Sequence, residues 1–498
     1  MKYQSTRNKS ISVDASVAIN RGISEEGGLF VPSDIPQITL NDINEMCHMS
    51  YCDRASKILG MFLTDYSKDE LDYCTKNAYA AVKFGSENTA PVVSLPNDVN
   101  ILELWHGPTC AFKDMALQIL PYLLKLAIRK SGEDKEVVIL VATSGDTGKA
   151  ALEGFKDVEG TKIQVFYPVD GVSDIQKLQM TTQDGANVCV CAVKGNFDDA
   201  QTGVKKIFTN NQYKKELSDR GYTFSSANSI NWGRLVPQIV YYFSAYCDLV
   251  NNKKISCGDK INIVVPTGNF GNILAAYYAL QMGLPVNKLI CASNSNNVLT
   301  DFINTGIYDR NRTFYTTHSP SMDILISSNL ERLLFHLTGR NDALVREYMS
   351  KLESDGKYDV GSEIKAKIQE FFAAGCCDDE ETAKTISEYF TKYSYIPDTH
   401  TAVALNVYEN YVKSTGDETA AVIASTANPF KFNEAVISAI SPETDLSGKD
   451  EFELLDILAS KGKIEIPQQL KELKSKQIRF SQVCDKNDMR QETDKFLS

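Results

Sequence analysis

The apolar, β-branched run Val137 to Val141 and the mainly apolar stretches Ile261 to Val265 and Ala421 to Ala424 end in small polar turns at Thr143 to Gly148, Thr267 to Asn272 and Ser425 to Asn428. Short continuous apolar runs bounded by turn residues suit strands buried on both faces. Helix-compatible sequence follows the first two, KAALEGF and ILAAYYAL, and further strands are predicted over Lys162 to Tyr167, Asn187 to Val193 and Leu289 to Ala292. Strands alternating with helices make this an α/β chain with mostly parallel sheets covered by helices on both faces. Ligands bind beyond the carboxyl ends of such strands, so the three turns can face one crevice.

A chain of 498 residues is long enough for two or three domains with buried cores. Residues 1–95 read as an N-terminal domain and 96–446 as the α/β region, with a helical, charged insertion over about 301–395. Residues 447–498 read as a charged, peripheral segment. Lys and Arg total 52 against 64 Asp and Glu, a net charge of −12 that repels nucleic acid and acidic membrane surfaces. An anionic substrate therefore needs a locally basic pocket. The opening MKYQSTRNKS has no apolar signal core, and no apolar run reaches bilayer-spanning length, so a cytoplasmic protein with neither nucleic acid nor membrane as partner is expected. The 12 cysteines include no CxxC pair matched by further Cys or His, so neither a disulfide nor a metal site is expected.

Within LWHGPTCAFKD, Leu104 to Asp114, a Gly-Pro-Thr turn delivers Phe112 and Lys113 to an apolar run, Met115 to Ile128, that is predicted as one mostly buried helix. Lys113 is then either paired with Asp114 and structurally bland, or a desolvated amine poised to form a Schiff base, because burial lowers a lysine pKa. The turn PTGNFGN, Pro266 to Asn272, sets two glycines between a strand and a helix; it is either a phosphate cradle of backbone N–H groups or a tight turn. ATSGDTG, Ala142 to Gly148, offers hydroxyl and N–H donors suited to a carboxylate, or a simple helix cap by Ser144 or Asp146.

Taken together, HGPTCAFKD, ATSGDTG, NSINWGRLVPQIVYYF, PTGNFGN, SPSMDILISSNLERL and STANPFKF, with the N-terminal STR and GGLFVP, resemble the threonine synthases over about residues 1–435. That family consists of pyridoxal-phosphate (PLP) enzymes of the tryptophan-synthase-β type, PLP fold type II. The resemblance implies two α/β domains plus an N-terminal domain, and pyridoxal 5'-phosphate bound covalently to Lys113. It implies Gly268, Asn269, Phe270, Gly271 and Asn272 around the cofactor phosphate, and Thr426 facing the ring nitrogen. Ser144, Gly145, Asp146, Thr147 and Gly148 would hold the substrate carboxylate. The implied reaction is that of a lyase of threonine biosynthesis, O-phospho-L-homoserine plus water giving L-threonine plus phosphate, in a monomer or homodimer. The chain departs from the family pattern at Gly233 (usually Ala), Thr399 (usually Pro), and Asn428 and Phe430 in the stretch usually written AHPAKF.

Lys149 and Arg234 adjoin these motifs and are weighed for the substrate phosphate, against a solvated helix lysine and a buried salt bridge respectively. His318 and His400 are lone histidines, more often structural than catalytic. A threonine or serine dehydratase, or a cysteine-forming synthase, is the alternative within the fold type; their SxKxRGA-like and SGNTG patterns stand where this chain has AFKDMAL and SGDTG. A non-catalytic relative binding a phosphorylated ligand is the rival of another class, opposed by the intact Lys113 and Thr426.

Overall fold

The strand Glu136–Ala142 is hydrogen-bonded in parallel register on both sides, to Thr161–Pro168 and Tyr222–Ser225, and its apolar residues are buried on both faces. Its sequence therefore shows no in-out alternation. In the computed structural model, which describes all residues except Glu87, Glu133, Asp134, Ser144, Asp170 and Gly171, it belongs to a five-stranded parallel sheet. The order is Val483–Asp485, Val188–Lys194, Thr161–Pro168, Glu136–Ala142, Tyr222–Ser225. A six-stranded sheet runs Phe372–Cys376, Val286–Ser293, Ile261–Pro266, Ala421–Ser425, Val99–Glu103, Val92–Ser94; only the last pair is antiparallel. The PTGNFGN and STANPFKF turns thus leave neighbouring strands of one sheet, and the ATSGDTG turn leaves the other.

Three short antiparallel strands, Tyr3–Ser5, Asn8–Val13 and Phe30–Pro32, begin the chain. They and the helix Tyr51–Phe62 pack on the long helix Trp232–Asn251, where Trp232 is ringed by Tyr3, Phe62 and Tyr278. Arg54 adds bonds to Ser244 at 2.8 Å and Asp248 at 3.0 Å. This packing holds the amino-terminal end of Trp232–Asn251, with Arg234 and Gln238, against the site. Among the described residues no helix is long and apolar enough to cross a membrane.

Two sequence expectations are corrected. The apolar run after Lys113 is two helices, Asp114–Leu117 and Leu120–Ser131, because Pro121 lacks an N–H and is accommodated only in a first turn. The stretch 301–395 is not wholly helical: Phe372–Cys376 is an edge strand of the larger sheet, and Ile307–Asp309 pairs with Lys357–Asp359.

Candidate active site

After Val99–Glu103 the His-Gly-Pro-Thr turn winds around the buried Asp114 carboxylate. Asp114 accepts from the Thr109 N–H and hydroxyl, both at 2.8 Å, and a Cβ on Gly107 would stand 2.5 Å from its oxygen. The following residues are clipped to the loop after Ala421–Ser425 by the Ala111 to Ala427 bridge and by a 2.8 Å bond from Phe112 N–H to Thr426 O. Lys113 is delivered half-buried, its Nζ 4.9 Å from the centre of the Phe112 ring. The bland pairing with Asp114 does not form, because Thr109 engages both Asp114 oxygens. Among the described residues the Lys113 amine has no hydrogen-bond or ion-pair partner. Burial pushes its pKa down, Asp146 opposes this, and the cations of Arg234 and Lys431 reinforce it, so the neutral, nucleophilic amine is favoured.

Burial also pushes the Asp114 carboxyl up, to about 7, against the two Thr109 bonds. An unfolded aspartate ionises near pH ~3.9, so the unfolded chain loses this proton first and stability falls as pH rises from about 4 to 7, then levels off; the difference is worth roughly 4 kcal/mol. Asp114→Asn is expected to flatten the melting temperature over that pH window. An unaltered slope would show that Asp114 does not titrate there.

The Gly268 to Asn272 turn has the form of an anion cradle. Phe270 is left-handed (φ 60°) and opens the helix Gly271–Met282. Asn329 fixes the turn by donating its backbone N–H at 3.2 Å and its side-chain amide at 3.0 Å to Asn269 O; Ser327 donates to Gly268 O at 2.9 Å. Asn272 Oδ1 accepts from Tyr241 at 2.7 Å and from Tyr242, which leaves its buried Nδ2 without a partner. An orphaned donor beside a helix N-terminus suits a phosphate oxygen. A Cβ on Gly268 would lie 2.5 Å from Ser321 O, so Gly268→Ala is expected to displace the turn and weaken cofactor binding about tenfold or more by equilibrium dialysis. Unchanged affinity would make the turn a structural one.

In the ATSGDTG turn the helix's amino-terminal end is held by Thr143. Its hydroxyl accepts from Gly145 N–H at 3.0 Å and Gly148 N–H at 2.9 Å, and a Cβ on Gly148 would strike the Thr143 methyl. Gly145 has φ 142° and leaves room for Gln176, which donates to Asp146 at 2.9 Å. The N–H groups of Asp146 and the half-buried Thr147, in the helix's first turn, have no carbonyl one turn earlier within the helix to bond. Ser144 lies outside the described residues. Asp146 forms a buried ion pair with Lys431 at 2.9 Å; although burial pushes its pKa up, Lys431 and Lys113 hold it well below the usual carboxylate range. Lys431 also reaches Thr109 O and Gln179, so it joins the Lys113 turn to the ATSGDTG turn.

Of the two weighed basic residues, Lys149 is paired with Glu153 at 2.9 Å and with Gln183. Arg234 is 4% exposed, donates Nη1 to Ala227 O at 2.7 Å, keeps Nε unbonded, and has no carboxylate partner among the described residues. It is a buried cation near Lys113 that lacks an anion.

A family model for pyridoxal-phosphate dependent enzymes matches residues 87–426, flanked by models for the threonine synthase N terminus over 2–79 and the threonine synthase C-terminal part over 401–493. Threonine synthase of Pseudomonas aeruginosa is 38% identical over 440 residues, covering 88% of this chain and 90% of that one. The chain belongs to the threonine synthase family. The X-ray structure of a PLP-bound threonine synthase from Brucella melitensis is 34% identical and matches with a TM-score of 0.88, covering 100% of this chain and 99% of that one. Human threonine synthase-like 1 is 41% identical over 435 residues; these cover 85% of this chain but 58% of that relative's length.

The residues present fit the family's cofactor: a free lysine amine, and an amide donor held for a phosphate at a helix N-terminus. Its carbonyl-holding tyrosines, Tyr241 and Tyr242, and the Lys431 pair were not singled out from the threonine synthase motifs, though NSINWGRLVPQIVYYF and STANPFKF contain them. The departures from the family pattern have local causes. Asn428 accepts from Phe430 N–H at 3.0 Å and so caps the short turn Pro429–Lys431, while Phe430 fills a core with Cys110, Ile175, Leu470 and Leu473. Thr399 takes the first helical position after its cap, where proline is favoured but not required. An alanine at Gly233 would press on Leu120 at 2.7 Å.

Proposed function

We propose that the chain converts O-phospho-L-homoserine and water to L-threonine and phosphate. The observation that carries this reading is a lysine amine and a buried arginine within electrostatic reach of each other, neither with a hydrogen-bonded or ion-paired carboxylate among the described residues. A substrate with a phosphate at one end gives the arginine its anion, and an amino group at the other would take the lysine's place on the cofactor. Pyridoxal phosphate, when bound, supplies the covalent anchor for an amine and the electron sink.

The chain's residues supply the rest. The turn around Asp146 and Thr147 offers hydroxyl and N–H donors for the substrate carboxylate, and Arg234 the charge for the leaving phosphate. With the cofactor bound, Lys113 Nζ, its place taken by the substrate amine, would be the proton carrier: it would take the protons of Cα and then Cβ and one from the water that adds at Cβ, and would return one to Cγ after phosphate departs and one to Cα, the third leaving on the phosphate. Thr426, buried in the loop clipped to Phe112, is assigned to the ring nitrogen, where a hydroxyl does not enforce protonation as a carboxylate would. The substrate is a small molecule, and nucleic acid and membrane have no part in this reading.

Purified protein given O-phospho-L-homoserine is expected to release threonine and inorganic phosphate in equal amounts. Release of a 2-oxo acid and ammonia from threonine or serine, with no turnover of the phosphorylated substrate, would favour the dehydratase instead.

A further inference from the structure

Asp398, His400 and Thr401 stand at the start of the helix Thr399–Thr415, and all three are buried. Asp398 caps that helix by accepting from the His400 N–H at 2.9 Å. His400 Nδ1 lies 3.0 Å from Asp398 Oδ1, and Nε2 accepts the backbone N–H of Ser321 at 3.1 Å. The Thr401 hydroxyl bonds the other Asp398 oxygen and lies 3.0 Å from Ser425 Oγ, which accepts the Trp105 indole N–H at 2.9 Å.

Proton inventory fixes the direction of the links made by Ser321, His400 and Trp105. Backbone and indole N–H groups only donate, and an ionised carboxylate only accepts. Ser321 therefore requires a neutral His400 whose single ring proton sits on Nδ1 and points to Asp398. The Thr401 hydroxyl links Asp398 to Ser425 Oγ, and Ser425 also hydrogen-bonds Tyr395.

The two ends of the relay reach the two ends of the cofactor site. Ser321 O is the atom a Cβ on Gly268 would strike, which makes Ser321 the wall behind the phosphate turn. Ser425 immediately precedes Thr426 and accepts from Leu104 N–H at 3.0 Å. We propose that Asp398, His400 and Thr401 are positioning residues that tie the phosphate turn to the ring-nitrogen loop and so set the span between the cofactor's two anchors. The ring-nitrogen end rests on the assignment of Thr426 made above.

His400→Asn keeps a donor at the Nδ1 position and loses the acceptor toward Ser321; His400→Gln keeps an acceptor near the Nε2 position. Dialysis of the holoenzyme is expected to show cofactor held about tenfold more weakly in His400→Asn, the size of one lost hydrogen bond, and held more firmly in His400→Gln. Thr401→Val is expected to move the absorbance maximum of the bound cofactor, and Thr401→Ser to restore it. Wild-type affinity in His400→Asn would overturn the phosphate half of the relay, and a wild-type spectrum in Thr401→Val the other half. Lowered thermal stability with both affinity and spectrum unmoved would reduce the three residues to a helix cap. Thr426→Val separates this from the earlier assignment: if it leaves the spectrum unmoved, Thr426 does not face the ring, while the dialysis result still decides the phosphate half.

Discussion

Replacing Lys113 with alanine is expected to lower the rate of threonine formation by at least ~10³-fold, because in the proposed reaction one side chain serves as both the covalent anchor and the proton carrier. Its Nζ makes no hydrogen bond or ion pair among the described residues, and burial disfavours its charged form, so the variant should melt no lower than the parent. Small primary amines added to the variant should restore part of the rate by carrying protons in place of the missing side chain. Borohydride reduction of the parent, followed by peptide mapping, should place the cofactor on Lys113. Lys431, a buried lysine of the site, is held by Asp146 at 2.9 Å. A label on Lys431, or a Lys113→Ala variant that still turns over, would sink the assignment.

The strands read from the sequence are those rich in Val and Ile that end in a polar turn: Val137 to Val141 lies within Glu136–Ala142, and Ile261 to Val265, interrupted only by Asn262, within Ile261–Pro266. Val99–Glu103 is just as central to its sheet but carries Asn100 and Glu103. Their burial is offset by bonds from distant residues: Asn100 donates to Ala421 O at 3.2 Å, and Glu103 accepts from Tyr395 at 3.1 Å. A local pattern cannot show that compensation, so the strand is not among those expected from the sequence. Phe372–Cys376 was hidden for a different reason, since it follows the helix Gly361–Phe371 directly, with no glycine or proline to mark the change.

The site divides in the same way. Each motif was legible because its residues share one turn at a strand end, where backbone N–H groups and glycines have few roles available to them. Relations between motifs were not legible. The Asp146 to Lys431 pair joins the two sheets' turns, and the Asn272 amide is oriented from the helix Trp232–Asn251 by Tyr241 and Tyr242. Lys149, four residues before Glu153 on one helix, forms the ordinary i,i+4 ion pair that its spacing allows.

Arg234 carries the second large expected effect, and stability rather than rate alone identifies its role. Burial pushes the pKa of its guanidinium down to about 10, and among the described residues no carboxylate pairs with it, so the chain bears the cost of a buried cation. Such a cost persists where function requires it. Arg234→Met keeps much of the volume, removes the charge, and gives up the 2.7 Å bond to Ala227 O. Losing a charge-assisted contact to the substrate phosphate is expected to lower kcat/KM by about 10- to 150-fold, chiefly through KM, from the ~1.5–3 kcal/mol such bonds contribute. Because the relief of charge burial opposes the loss of the Ala227 bond, the substrate-free variant should melt at or above the parent's temperature, with cofactor affinity unchanged in dialysis. Inorganic phosphate should raise the parent's melting temperature but not the variant's. A variant that melts lower while keeping the parent's KM would make Arg234 a strut of the Ala227 loop, and weakened cofactor binding would assign it to the cofactor phosphate instead.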